Sequence, residues 1–144
     1  MEKIILIVLI LAITAFSFLF LTSKTTHYAE IIDMSNKTNY FKRGVYYFYN
    51  FSTNYKDYSN PFDVNSLFSK LISNKIPLIE AWYKPYASSC CPPNSNFCMQ
   101  ALVQPALIVR LSYDDKKIEK FNFVKTESPN MGWCAYYVSH YIFK

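Results

Sequence analysis

Asn60-Pro-Phe-Asp-Val-Asn-Ser-Leu-Phe-Ser-Lys-Leu-Ile-Ser-Asn-Lys-Ile-Pro77 is the stretch that separates a mixed fold from a purely β one. Asn60 suits a helix N-cap, Pro61 the first helical position and Asp63 the positive end of the helix dipole. Val64, Leu67, Phe68, Leu71 and Ile72 then recur at helical spacing and make one apolar stripe. Ser66, Ser69, Lys70 and Ser73 fall on the other side. Asn74 reads as a left-handed stop, and Pro77 prevents continuation.

The flanks read as strands. Residues 43–54 are rich in β-branched and aromatic side chains. Val45, Tyr47, Tyr49 and Phe51 alternate with Tyr46, Phe48, Asn50 and Ser52. Further strands are expected at 76–86, 105–113, 118–126 and 133–143, the 118–126 strand following a turn at Asp114-Asp115-Lys116-Lys117. One strand, one amphipathic helix and four more strands joined largely by hairpins predict an α+β domain. Its core would be a small antiparallel sheet with one helix packed on a face.

Upstream, Ile4 to Leu21 carries no charge, and only Thr14 and Ser17 are polar. Eighteen helical residues reach about 27 Å, near the thickness of a bilayer's hydrocarbon core. The apolar run is longer than a cleaved signal peptide needs, and no clean small-x-small site follows it. The chain therefore reads as a transmembrane signal-anchor helix over 1–23, a polar stem over 24–42 and an extracytoplasmic domain over 43–144.

The composition narrows the function. The chain has 144 residues, 19% of them aromatic, two glycines and a net charge of +5. A disordered tail would be poor in aromatics, and a phosphate-binding loop would cluster its glycines. The positive charges are scattered, with Lys42-Arg43 and Lys116-Lys117 as the only adjacent pairs. A nucleic-acid groove would concentrate them, so no nucleic-acid partner is expected.

Cys90, Cys91, Cys98 and Cys134 make an even set, which reads as two disulfides in an oxidising compartment. A bond between adjacent Cys90 and Cys91 is strained. Which of the two reaches Cys98 and which reaches Cys134 stays open. A bond to Cys134 would close a loop of about 43 residues and add roughly 3 to 4 kcal/mol in the chain-entropy treatment. Asn36 and Asn50 begin Asn-x-Ser/Thr sequons and are candidate glycosylation sites. Cysteines, sequons and anchor together put the amino terminus inside and the domain outside.

No catalytic constellation stands out. Gly-x-Ser-x-Gly and His-Glu-x-x-His are absent. His140 reads as an ordinary strand histidine, and Asp114-Asp115 as a solvated turn. Glu80 and Glu119, within strands, are expected to face cross-strand cations such as Lys84, Lys120 or Arg110. No catalytic residue, cofactor or metal site is assigned, and the protein is expected not to be an enzyme.

The expected role is a single-pass, membrane-anchored accessory or structural subunit of a membrane or envelope assembly. It would bind other subunits through aromatic strand faces, with Tyr46, Tyr47, Phe48, Tyr49, Tyr136, Tyr137 and Tyr141 as candidate interface residues. The alternative is copper-like metal or thiol-redox handling by the Cys90–Cys98 loop, with Met99 and His140 as further ligands.

Overall fold

The computed structural model describes residues 28–35, 40–51 and 62–144. The apolar run Ile4–Leu21, Asn36, Asn60 and Pro61 lie outside the described residues. Among the described residues no helix is long and apolar enough to cross a membrane.

The described chain builds one antiparallel sheet from six strands: β1 (Tyr28–Ile32), β2 (Val45–Tyr49), β3 (Leu78–Lys84), β4 (Ala106–Leu111), β5 (Phe123–Thr126) and β6 (Val138–Ile142). Their spatial order is β1-β6-β3-β4-β2-β5. An α-helix, α1 (Val64–Ser73), lies between β2 and β3, and a 3-10 helix, Lys116–Phe121, lies between β4 and β5.

The helix forms where the apolar stripe requires it. Its N-cap is Asp63, whose carboxylate accepts a hydrogen bond from the Ser66 amide at 2.9 Å. Val64, Phe68 and Leu71 are buried. Phe68 meets Tyr141 and Phe143 edge-on, at 5.0 and 5.1 Å between ring centres. The helix stop differs from expectation. Asn74 keeps a negative φ of −88°, and its side-chain amide donates to the Lys70 carbonyl. The left-handed residue is Lys75, with φ of 58°. Asn74 thus closes the helix through its side chain and passes the turn to the next residue.

Three expectations about the sheet need correction. The stretch read as a polar stem supplies β1, which pairs with β6 through Tyr28↔Ile142 to Ile32↔Val138. Five residues with one acidic group look like stem or spacer in isolation, and only an available strand edge makes them sheet. Next, 118–126 is not one strand. Ile118 and Phe121 are three apart, the period of a 3-10 turn, and both pack into the core. Asp115 accepts from the Lys117 amide, and Asn122 turns the chain out at φ of 66°. Glu119 therefore sits on the 3-10 helix and not within a strand. Last, hairpins do not dominate. β5 pairs with β2 and not with β4, so only β3 and β4 are neighbours both in sequence and in space.

Both faces of the sheet are covered. Under α1 lie Tyr47, Ala81, Leu107, Val109, Leu111, Phe123 and Tyr141. On the opposite face, Tyr46, Trp82, Ile108 and Val138 pack beneath Met34, Tyr40, Phe41, Met131 and Ala135. Phe41 and Tyr40 meet Trp82 edge-on at 5.0 and 6.1 Å. A bond from the Met34 amide to the Ala135 carbonyl ties the two covering segments together.

Tyr47 is fully buried, and its hydroxyl donates to the Asp114 carboxylate. Burial, and then this hydrogen bond, push the phenol pKa well above its usual value. Asp114 also receives Lys125, whose ammonium, followed by the Tyr47 hydroxyl, holds the carboxyl below its usual range. Asp114-Asp115 is thus a structural corner as well as a turn. Tyr47→Phe is expected to cost about 1 to 1.5 kcal/mol in urea unfolding at pH 7, the range for one hydrogen bond to a charged but solvated acceptor. The loss should shrink as Asp114 is protonated in acid, when a neutral carboxyl replaces the charged acceptor. An unchanged midpoint at pH 7 would show that the hydroxyl contributes nothing.

Candidate functional site

The sulfur pairing is Cys90–Cys134 and Cys91–Cys98, with Cα separations of 5.9 and 4.3 Å. The first bond ties the β3–β4 connection to the segment entering β6. The second closes a tight ring within that connection. Backbone bonds in both directions between Cys90 and Met99, and between Ala87 and Val103, make this connection a ladder. All four sulfurs are engaged. Metal binding by these sulfurs would need thiolates, which closed pairs do not present. Among the described residues no group of three or more His, Cys, Asp or Glu side chains is placed to hold a metal ion.

These bonds frame a cleft of about 330 Å³ whose floor holds Lys84. Strand alternation puts Lys84 on the face of Glu80 and Trp82, opposite Ala106 of β4. It is 5% exposed. Its ammonium donates to the Trp133 carbonyl at 2.7 Å. Burial lowers its pKa to about 8. Leu102, Met131 and Trp133 supply apolar wall, Gln104 and Asn130 supply amides, and among the described residues no carboxylate lines the cleft.

The roof depends on Gly132. Its φ is 70°, and a Cβ there would stand 3.6 Å from the Lys84 ammonium. The Asn130 side chain accepts from the Gly132 amide at 2.7 Å and fixes the turn. Residues 129–132 also form one wall of a neighbouring cleft of about 260 Å³ that reaches Met34 and Phe41.

The expected interface residues divide. Tyr46, Tyr47 and Tyr141 are buried, so they belong to the core and not to a docking surface. The reason is the double covering of the sheet: aromatics on both faces of β2 serve two cores. Tyr49 is half-buried among Phe51, Phe62 and Phe123, and Tyr136 is half-buried. Phe48 and Tyr137 remain exposed.

Other exposed apolar side chains gather on the β3–β4 connection and the segment entering β6. Phe97 is 80% exposed, and Met99, Leu102 and Trp133 are each about half exposed. All four sit on the two segments joined by Cys90–Cys134, and Leu102 and Trp133 line the Lys84 cleft.

His140 lies flat on Trp82, with rings 5.2 Å apart and an interplanar angle of 7°. Its Nδ1 stands 3.2 Å from a Glu30 oxygen across the β6–β1 pair. Its Nε2 and the Trp82 indole nitrogen are buried without a hydrogen-bond partner among the described residues. Glu80 meets Arg110 at 3.4 Å, the cross-strand partnership expected for it. Asn50 is exposed just beyond β2, and its backbone pairs with Asn122.

Lys84 went unnoticed in the sequence except as a possible partner for Glu80. The available signal was parity. A lysine two residues from Trp82, on a strand whose other face is apolar, either reaches solvent or ends in a polar pocket. No protein-family model, no curated protein and no solved structure matches this chain.

Proposed function

We propose that the protein is a non-enzymatic, membrane-tethered accessory subunit whose extracytoplasmic domain binds a partner subunit through the disulfide-bound rim of the Lys84 cleft. One observation carries the reading. Most of the strand tyrosines are taken up in two cores, while Phe97, Met99, Leu102 and Trp133 stay exposed on segments that two disulfides hold in place. Exposed apolar side chains on a rigid frame keep the ordering cost of association low. Tryptophan and phenylalanine are also the residue types enriched where proteins meet. Two closed disulfides suit an oxidising compartment, and the uncharged run Ile4–Leu21 suits a tether.

The test is site-specific photo-crosslinking of the full chain in its native membrane. A photoreactive residue at position 97 or 133 is expected to give a discrete protein adduct. The same residue at exposed position 120, on the 3-10 helix, is expected to give none. Adducts from all three positions alike, or from none, would defeat the reading.

A further inference from the structure

We propose that the Lys84 cleft is a binding site for a small monocarboxylate with a short apolar or aromatic body. Such a site does not depend on whether the rim docks a protein.

Lys84 is a cation with 5% exposure that ends in a cleft lined, among the described residues, by no carboxylate. Ammonium groups buried to this degree are ordinarily paired with an acidic side chain. Its one observed hydrogen bond goes to a neutral acceptor, the Trp133 carbonyl at 2.7 Å. An ammonium has three donors, so donors remain for an incoming group. The ionisable groups that strand register places on this face do not compensate it. His140 stands opposite Trp82 in the adjacent row and is directed to Glu30, and Glu80 is taken by Arg110 one row further on. The positive charge at the cleft floor is thus left for something from outside.

The rest of the cleft states what that something is. Gly132 keeps side-chain atoms away from the ammonium, and a Cβ there would approach it to 3.6 Å. Gln104 and Asn130 can satisfy the outer oxygen of a bound carboxylate, since both carry amide donors. Leu102, Met131 and the exposed Trp133 form the apolar remainder. About 330 Å³ lies at the small end of ligand sites. A charged head on Lys84 and a ring or short chain against Trp133 fill it. A phosphate would ask for several cations or a cluster of backbone amides, and among the described residues Lys84 is the one cation lining the cleft.

The probe set is 3-phenylpropionate, 3-phenylpropanol and 3-phenylpropylamine, which share one body and differ in the head. They are titrated into the oxidised, full-length protein in detergent and followed by the emission of Trp133, which lines the cleft. The acid is expected to bind at least about tenfold more tightly than the alcohol, the scale of one charge-assisted hydrogen bond. The amine is expected to bind more weakly than either. In Lys84→Met the preference for the acid should disappear while the alcohol still binds. In unsubstituted protein the 15Nζ resonance of Lys84 should move on adding the acid and stay in place on adding the alcohol, which keeps the test independent of the variant's folding. Equal affinity for the three heads, an acid preference that survives Lys84→Met, or no binding of any probe at about 10 mM would each overturn the assignment.

Discussion

Replacing Cys90 and Cys134 together by alanine is expected to lower the stability of the domain by about 4 kcal/mol. The same treatment of Cys91 and Cys98 should cost only about 2 kcal/mol. The order follows from the loops that the bonds close. Cys90–Cys134 spans 44 residues and Cys91–Cys98 spans 7, and the entropy withheld from the unfolded chain grows with the logarithm of the span. The long tie also has more to hold. It joins the β3–β4 connection to the segment carrying Met131, Gly132 and Trp133, which roofs the Lys84 cleft. Cys134 sits at φ of 60°, a left-handed conformation that a residue with a Cβ adopts only when its surroundings impose it. A single-domain fold commonly has roughly 5 to 15 kcal/mol to lose, so the long tie is a large share. Urea unfolding of the two double variants, each under oxidising conditions, measures both costs. Equal losses, or a larger loss for the short ring, would contradict the chain-entropy account.

What the sequence makes legible follows from how local each determinant is. The helix over 64–73 was readable because its apolar stripe lies within one segment, although its N-cap is Asp63 and not Asn60 and its left-handed turn falls on Lys75 and not Asn74. Strand positions at 45–49, 78–84 and 106–111 were readable from β-branched and aromatic runs. Alternation in β2 was correct residue by residue, with Tyr47 under the helix and Tyr46 on the opposite face. What alternation could not supply was a second covering layer. That layer comes from Met34, Tyr40, Phe41, Met131 and Ala135, which are scattered over a hundred residues. Without it, tyrosines on the second face looked like surface.

The same limit hid β1 and the cleft. A five-residue strand with Glu30 at its centre has little preference of its own, and the free edge of β6 makes it a strand. Lys84 is ordinary until Cys90–Cys134 draws Trp133 over it. The cysteine pairing is a long-range fact: the strain of bridging adjacent Cys90 and Cys91 disfavoured one of three arrangements, and nothing local chose between the other two. The 3-10 helix at 116–121 shows the opposite failure. Its residues alternate well enough to pass for a strand, and only the joint burial of Ile118 and Phe121 reveals a period of three.

Lys84→Met should make the domain more stable at pH 7, by about 2 kcal/mol, and lose that advantage in alkali. The ordinary lysine pKa of 10.5 falls to about 8 in the fold because burial penalises the ammonium. At about 1.4 kcal/mol per unit, the folded state carries a penalty of at most about 3.5 kcal/mol while Lys84 is charged. Methionine has a similar length and no charge, so it removes that penalty and gives up the bond to the Trp133 carbonyl, worth about 1 kcal/mol. The sign with pH follows from proton counts. Below pH 8 both folded and unfolded states hold the proton, and the penalty is constant. Between 8 and 10.5 the unfolded chain keeps a proton that the folded chain has released, so the stability of the unsubstituted protein rises with pH. The difference between the two proteins should therefore shrink through this window and change sign before its upper end. Comparing them at each pH cancels the tyrosines, which titrate in the same range. A gain at pH 7 that persists unchanged to pH 10.5 would mean that Lys84 carries no buried charge. A loss at pH 7 would make Lys84 a structural clasp for the 130–133 turn. The expected result instead leaves a lysine that weakens the fold at neutral pH, as a cation held in readiness for a ligand would.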